Sequence, residues 1–150
     1  MDTTDRKILA ELQKDGRLSV TELGQRIGLS LSPCHRRVRT LEQVGVISGY
    51  RATIDPATVG LNFSAIVFVT LREGTSDCVQ SFESALLDIP EIIQAQRLFG
   101  DPDYMLHVVT WDLNAFQTLY DRSLSALPSV LRLTSTLVMK NIVQNRPLPL

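Results

Sequence analysis

Residues 19–46 read SVTELGQRIGLSLSPCHRRVRTLEQVGV, and their order of caps, stops and apolar positions predicts two short helices around a tight turn. Ser19 and Glu22 are spaced as a capping box, in which hydroxyl and carboxylate satisfy the free amides of a helix start. Val20, Leu23 and Ile27 follow at helical spacing. Gly28 is placed to stop the helix, because glycine adopts the left-handed conformation without a Cβ penalty. Ser30 or Ser32 opens the next helix, with Pro33 tolerated in its first turn. Gly24 has no side chain and lets two crossing helices approach. The unit is a helix-turn-helix.

The second helix has two unlike faces. Cys34, Val38 and Leu41 lie at i, i+4 and i+7 and form an inward stripe. His35, Arg36 and Arg39 fall on another face, with Arg37 beside them and Ser32 at the helix start. Arginine forks onto guanine or pairs with phosphate, so a helix starting with these residues suits a major groove. A solvated charged face is the ordinary fate of such a run. The preceding helix, the glycine turn and Gly24 favour duplex DNA instead. Arg36 and Arg39 are expected at bases or phosphates with Ser32 and His35 nearby, and Arg37 at the DNA backbone.

Charge is distributed to match. Residues 1–51 hold nine Lys/Arg against six Asp/Glu, a net of +3. Residues 52–150 hold six against ten, a net of −4. Phosphate is attracted to the first segment alone. Hydrophobic residues make up 44% of the 150, enough for one domain core or two small ones. No apolar run approaches the roughly 18 residues of a membrane span, and MDTTDRKIL does not resemble a secretory signal. Cys34 and Cys78 lack metal-ligand spacing and fit reduced thiols of a cytoplasmic protein.

Working outward, Thr4 to about Lys14 forms a first helix, with Ile8, Leu9 and Leu12 on one side and Asp15-Gly16 at its end. Ser48 to Ile54 looks extended, either a small wing or the start of a linker. The expected organisation is a DNA-binding unit at 1–50, a linker at 51–62, a second domain at 63–145 and a proline-broken, loose tail at 146–150. In the second domain, Phe63–Leu71 is a β-branched and aromatic strand. Ser76–Leu87 is helical, Ile92–Phe99 and Tyr104–Thr110 are strands joined by Gly100-Asp101-Pro102-Asp103, and Asp112 caps a helix to about Leu127. Val130–Val143 is a last long strand. The order β-α-β-β-α-β is the ferredoxin-like arrangement, and the fold class is α+β. Ala65, Val67, Val69 and Leu71 point one way along the first strand, Ile66 and Phe68 the other; the third strand is apolar on both sides too. Both helices cover one face, so the second apolar face needs a cover, and a second copy of the sheet is the simplest.

The segments DRKILAELQKDGR, ELGQRIGLSLSPCHRRVRTLEQVGVISGY and GDPDYMLHV resemble the Lrp/AsnC family, the feast/famine transcription regulators. The SPC-x-x-R-V-x-x-LE-x-x-G-x-I skeleton is the most specific of them. The resemblance runs from Asp5 to about Asn145. It implies a winged helix-turn-helix followed by a ferredoxin-like RAM (ACT-like) domain that oligomerises and binds small effectors, usually amino acids. It implies an effector site at the turn Gly100, Asp101, Asp103 and Tyr104, with Asp103 suited to an ammonium group, and at Thr134, Ser135, Thr136 and Leu137 of the last strand. Leu113 is then a side-chain contact, and Arg97 a bulky charge that alters which ligand fits. Taken without the resemblance, Gly-Asp-Pro-Asp is ordinary turn chemistry. The resemblance also implies a homodimer that assembles into larger rings, such as an octamer.

Two other functions were open to the residues. A small dimeric ferredoxin-like enzyme would need converging polar groups, and only His107 and Trp111 stand out. There are no paired carboxylates and no phosphate loop. No metal or cofactor is expected, since Cys34 and His35 point apart on one helix. An amino-acid sensor acting through protein contacts would use the helix-turn-helix as a docking module, which the arginines disfavour.

Overall fold

The computed structural model describes residues 1–150 and divides them into two compact units: residues 1–53 with 142–150, and residues 54–141. In the first unit α1 spans Thr3–Lys14, α2 Val20–Ile27 and α3 Leu31–Gln43. Each start has a local chemical reason. At α1, Asp5 N donates to Asp2 Oδ1 and Asp2 N to Asp5 Oδ2, both at 2.9 Å. At α2, Ser19 N donates to Glu22 Oε2 at 2.9 Å and Glu22 N to Ser19 Oγ at 3.2 Å, which is the box expected from sequence. Gly28 ends α2 at φ +75. A Cβ on Gly24 would lie 2.7 Å from the Leu29 carbonyl oxygen, so only glycine fits where α2 packs against the turn that leads into α3.

Ile8, Leu9, Leu23, Cys34, Val38 and Leu41 close this unit's core. Cys34 is fully buried, and burial pushes its thiol pKa up. It is therefore a packed apolar residue with no nucleophilic role. Residues 48–54 form no strand, so the extended segment builds no β-wing. No second strand lies beside it, and Tyr50 is held elsewhere, its hydroxyl donating to Glu42 Oε1 at 3.0 Å. The tail is not loose either. Leu148 N donates to Gln13 Oε1 at 2.6 Å and Gln13 Nε2 to the Leu148 carbonyl at 3.4 Å, because a glutamine amide satisfies both backbone groups of one residue.

The second unit runs β1 Phe63–Leu71, α4 Ser76–Leu86, β2 Ile92–Arg97, β3 Tyr104–Thr110, α5 Leu113–Leu119 and β4 Val130–Leu137. The sheet order is β2-β3-β1-β4, antiparallel throughout. Strands one and three are central, as the ferredoxin-like order requires. Ala65, Val67, Val69, Leu106 and Val108 face α4 and α5 in a core completed by Phe82, Phe116, Leu124 and Leu127.

Three expected boundaries move. The last strand ends at Leu137 rather than Val143: Leu137 pairs with Ala65 and Val138 N still donates to the Ser64 carbonyl at 2.9 Å, beyond which β1 offers only Phe63. The second strand ends at Arg97, opposite Tyr104 at the start of β3, and Phe99 is left fully exposed. The helix capped by Asp112, whose Oδ1 accepts from Ala115 N at 2.7 Å, passes at Tyr120–Leu124 into a π-helical turn. That wider turn carries one extra residue, and Leu124 and Leu127 still both reach the core. No helix is long and apolar enough to cross a membrane.

Candidate DNA-binding face and ligand pocket

The start of α3 presents its cations unequally. Cys34, Val38 and Leu41 are buried, so the helix is held by its apolar stripe and its other face is turned out. Ser32, His35, Arg36 and Arg39 are exposed, and neither Arg36 nor Arg39 enters an ion pair. Ser30, not Ser32, stands at the cap, and it makes no side-chain bond there. Arg37 differs. Its Nη1 donates to Asp2 Oδ2 and to Asp5 Oδ1, each at 2.8 Å. These carboxylates, Asp5 first, raise its pKa further above the ordinary arginine value. Arg37, expected at the DNA backbone, thus has its Nη1 held by two intramolecular carboxylates.

The turn between β2 and β3 is tied into the sheet. Asp103 N donates to the Val69 carbonyl at 2.9 Å, and Asp103 Oδ2 accepts from Leu71 N at 2.7 Å. One oxygen of the Asp103 carboxylate, expected at a ligand ammonium, is therefore held at the end of β1. Tyr104 is 2% exposed and its hydroxyl donates to Glu83 Oε1 at 2.7 Å. Burial, then the neighbouring Glu83 carboxylate, pushes the phenol up to about 12. The Tyr104 side chain acts as a strut for the turn. Arg97, singled out for ligand fit, lies 3.8 Å from the same Glu83 carboxylate.

Strand alternation separates the residues expected on β4. Ser135 pairs with Val67 and Leu137 with Ala65, so both face the helices; Thr134 pairs with Phe68 and Thr136 with Ile66, so both face the open side. The helix side carries a groove of ≈ 430 Å³ lined by Leu113, Phe116, Gln117, Tyr120, Leu133 and Ser135. The open side carries a pocket of ≈ 250 Å³ lined by Phe68, Thr70, Asp101, Pro102, Arg132 and Thr134. Neither of these two pockets gathers Leu113 and Ser135 with Asp101 and Thr134. Across the open-side pocket Arg132 Nη2 lies 3.7 Å from Asp101 Oδ1, with both side chains mostly exposed. His107 shares this face, its Nε2 2.7 Å from Ser64 Oγ. Burial lowers its pKa, which keeps it neutral in a hydrogen bond between strands.

Residues 1–48 match the model described as winged helix-turn-helix DNA-binding. Residues 64–148 match the model described as Lrp/AsnC ligand binding domain. The Bkd operon transcriptional regulator of Pseudomonas aeruginosa is 39% identical over 150 residues, covering 100% of this chain and 98% of the relative. The leucine-responsive regulatory protein of Escherichia coli K12 is 38% identical over 148 residues, covering 99% and 90%. The chain belongs to the Lrp/AsnC family.

This Lrp/AsnC regulator also has close structural likenesses. A transcriptional regulator of Neisseria meningitidis crystallised with L-Met superposes with a TM-score of 0.93 at 36% identity, covering 99% of this chain and 96% of the other. An AsnC family regulator of Agrobacterium tumefaciens gives 0.93 at 33% identity, covering 99% and 97%. The chain is accordingly a DNA-binding transcription regulator of the Lrp/AsnC type. Within the regulator's open-side pocket, Phe68, Thr70, Pro102 and Arg132 were missed from sequence. The signal was there in part: Thr134 had been singled out, and on a strand residues two apart share a face, so Arg132 lies beside it.

Proposed function

We propose that this regulator responds to an amino acid held at the open-side pocket and reads duplex DNA with Ser32, His35, Arg36 and Arg39 of α3. The observation that carries the ligand reading is one cation and one anion across a small pocket. The Arg132–Asp101 pair is long and exposed, so a ligand can part it: Arg132 forks onto a carboxylate, Asp101 accepts from an ammonium group, and the Thr70 and Thr134 hydroxyls flank them. Phe68 and Pro102 supply an apolar wall. The neighbour solved with L-Met supports the same ligand class. Gly100 precedes Asp101 in the turn and Thr136 shares the open face with Thr134; Leu113, Ser135 and Leu137, on the helix side, would reach a ligand only from another protomer.

The domain limits that go with this reading are 1–50 for DNA, 51–62 for the linker, 63–145 for ligand and assembly, and 146–150 for the tail. The protein works in the cytoplasm, without catalysis. Ile66, Phe68 and Met105 stand half-covered on the open face of a lone protomer, and a second copy of the sheet covers them. Dimers then join into a larger ring such as an octamer. A light-scattering mass of one protomer would remove that assembly. Two recognition helices of a dimer enter major grooves about 34 Å apart. The ligand acts by binding one assembly geometry better than another.

A thermal-shift screen of the twenty amino acids is the test. A ligand at a hundred times its Kd stabilises the folded state by about 2.7 kcal/mol, which moves a domain of this size by several degrees. The shift is expected for at least one amino acid with an apolar side chain and to vanish in Arg132→Ala. A shift that survives Arg132→Ala places the ligand elsewhere.

A further inference from the structure

Arg37 sits in the middle of a basic helix start, yet its Nη1 is turned to two acids of α1. The contacts around it form a closed set. Asp2 gives Oδ1 to the α1 cap and Oδ2 to Arg37; Asp5 gives Oδ2 to the cap and Oδ1 to Arg37. Every carboxylate oxygen of the pair thus has one partner. The cap fixes the two acids relative to each other, and Arg37 then ties α3 to the first turn of α1. One residue before it, Arg36 is exposed, and its carbonyl accepts from Thr40 Oγ1 at 3.0 Å; two residues after it, Arg39 is exposed too. The side-chain tie at Arg37 lies between the two cations expected on DNA, where it limits rotation of α3 about its own axis.

We propose that Arg37 is a positioning residue: it sets the angle at which Arg36 and Arg39 are presented to DNA and does not itself contact phosphate. Two charged acceptors hold its Nη1 in place. A phosphate approaching the remaining N–H groups would come close to two carboxylates, whose like charge repels it. This inference rests on the DNA-binding role of α3, and the Arg36 and Arg39 variant described below tests that role separately.

The two roles differ in their salt dependence. Each phosphate contact contributes about −0.9 to the slope of log K against log salt concentration, whereas an orienting residue contributes nothing to it. The experiment titrates the full chain against a labelled duplex selected on the parent protein from a random-sequence pool, at several salt concentrations. Affinity is expressed per folded protein, with folding followed by far-UV circular dichroism. Arg37→Gln is expected to weaken binding about tenfold, the scale of one charged hydrogen bond, with the slope unchanged. A slope shallower by about 0.9 makes Arg37 a phosphate contact and overturns the proposal. Unchanged affinity overturns it too, since the tie would then serve stability alone.

Asp2→Asn is the second variant, for the case in which Arg37→Gln fails to fold. It keeps an oxygen for the α1 cap and turns an amide NH2 toward Arg37. Weaker binding at an unchanged slope is expected. Tighter binding overturns the proposal, because it means that the released guanidinium reaches DNA.

Discussion

Replacing Arg36 and Arg39 together with alanine is expected to weaken binding to duplex DNA by about a hundredfold or more. Each lost charged hydrogen bond costs about 1.5–3 kcal/mol, and every 1.4 kcal/mol is a factor of ten. The fold should survive, since both side chains are exposed while α3 is held by Cys34, Val38 and Leu41. The salt slope should become shallower by about 1.8 if both residues meet phosphates, and by less if one forks onto a guanine edge. A gel-shift at modest salt reads the first effect directly. Retardation equal to that of the parent protein would take the recognition role away from this helix. Arg37, its neighbour in sequence, should behave differently in the same titration, losing affinity but keeping the slope.

The second large effect concerns the ligand-binding unit. Phe82→Ala is expected to cost about 3–5 kcal/mol, a large part of the 5–15 kcal/mol that a domain holds in total. Phe82 is fully buried on α4. Its ring centroid lies 4.7 Å from that of Tyr104 at an interplanar angle of 47°, so the substitution removes both buried area and an aromatic contact. Tyr104 in turn anchors the β2–β3 turn through Glu83. Loss of Phe82 should therefore loosen the turn that borders the open-side pocket. Urea unfolding followed by Trp111, the single tryptophan, reports on this unit because Trp111 lies within residues 54–141. Leu87→Ala, five residues along and 86% exposed, is the control and should change stability by no more than about 0.5 kcal/mol. A Phe82→Ala cost as small as that of Leu87→Ala would show that α4 does not pack on the sheet as described.

Much of the helix-turn-helix was legible because its determinants are local. A capping box needs two residues three apart, a left-handed stop needs a glycine, and an inward stripe needs only helical spacing. The Ser19–Glu22 box, the Gly28 stop and the buried Cys34, Val38 and Leu41 all depend on neighbours within a few positions. The β-α-β-β-α-β order was legible for the same reason, as each strand and helix announces itself by its own composition.

What could not be read is what depends on partners far along the chain. The length of β4 was hidden because a strand lasts only as long as its neighbour does, and β1 begins at Phe63. The fate of Arg37 was hidden because its acids lie at positions 2 and 5, thirty-five and thirty-two residues away. Asp103 and Asp101 look equivalent in the turn, yet one carboxylate accepts from the Leu71 amide through Oδ2 while the other stays exposed, 3.7 Å from Arg132. Ser135 and Thr134 are adjacent in sequence but face opposite sides of the sheet, which needs the register against β1 to be known.

The amino-acid order by itself determined which segments become helices and strands, where they start, and which residues carry charge, because propensity, capping and periodicity act over a few residues. Only the tertiary structure decided which of those charges remain free to meet DNA or a ligand. A side chain is available for recognition only when nothing else in the folded chain has already satisfied it, and that depends on groups brought together from distant positions.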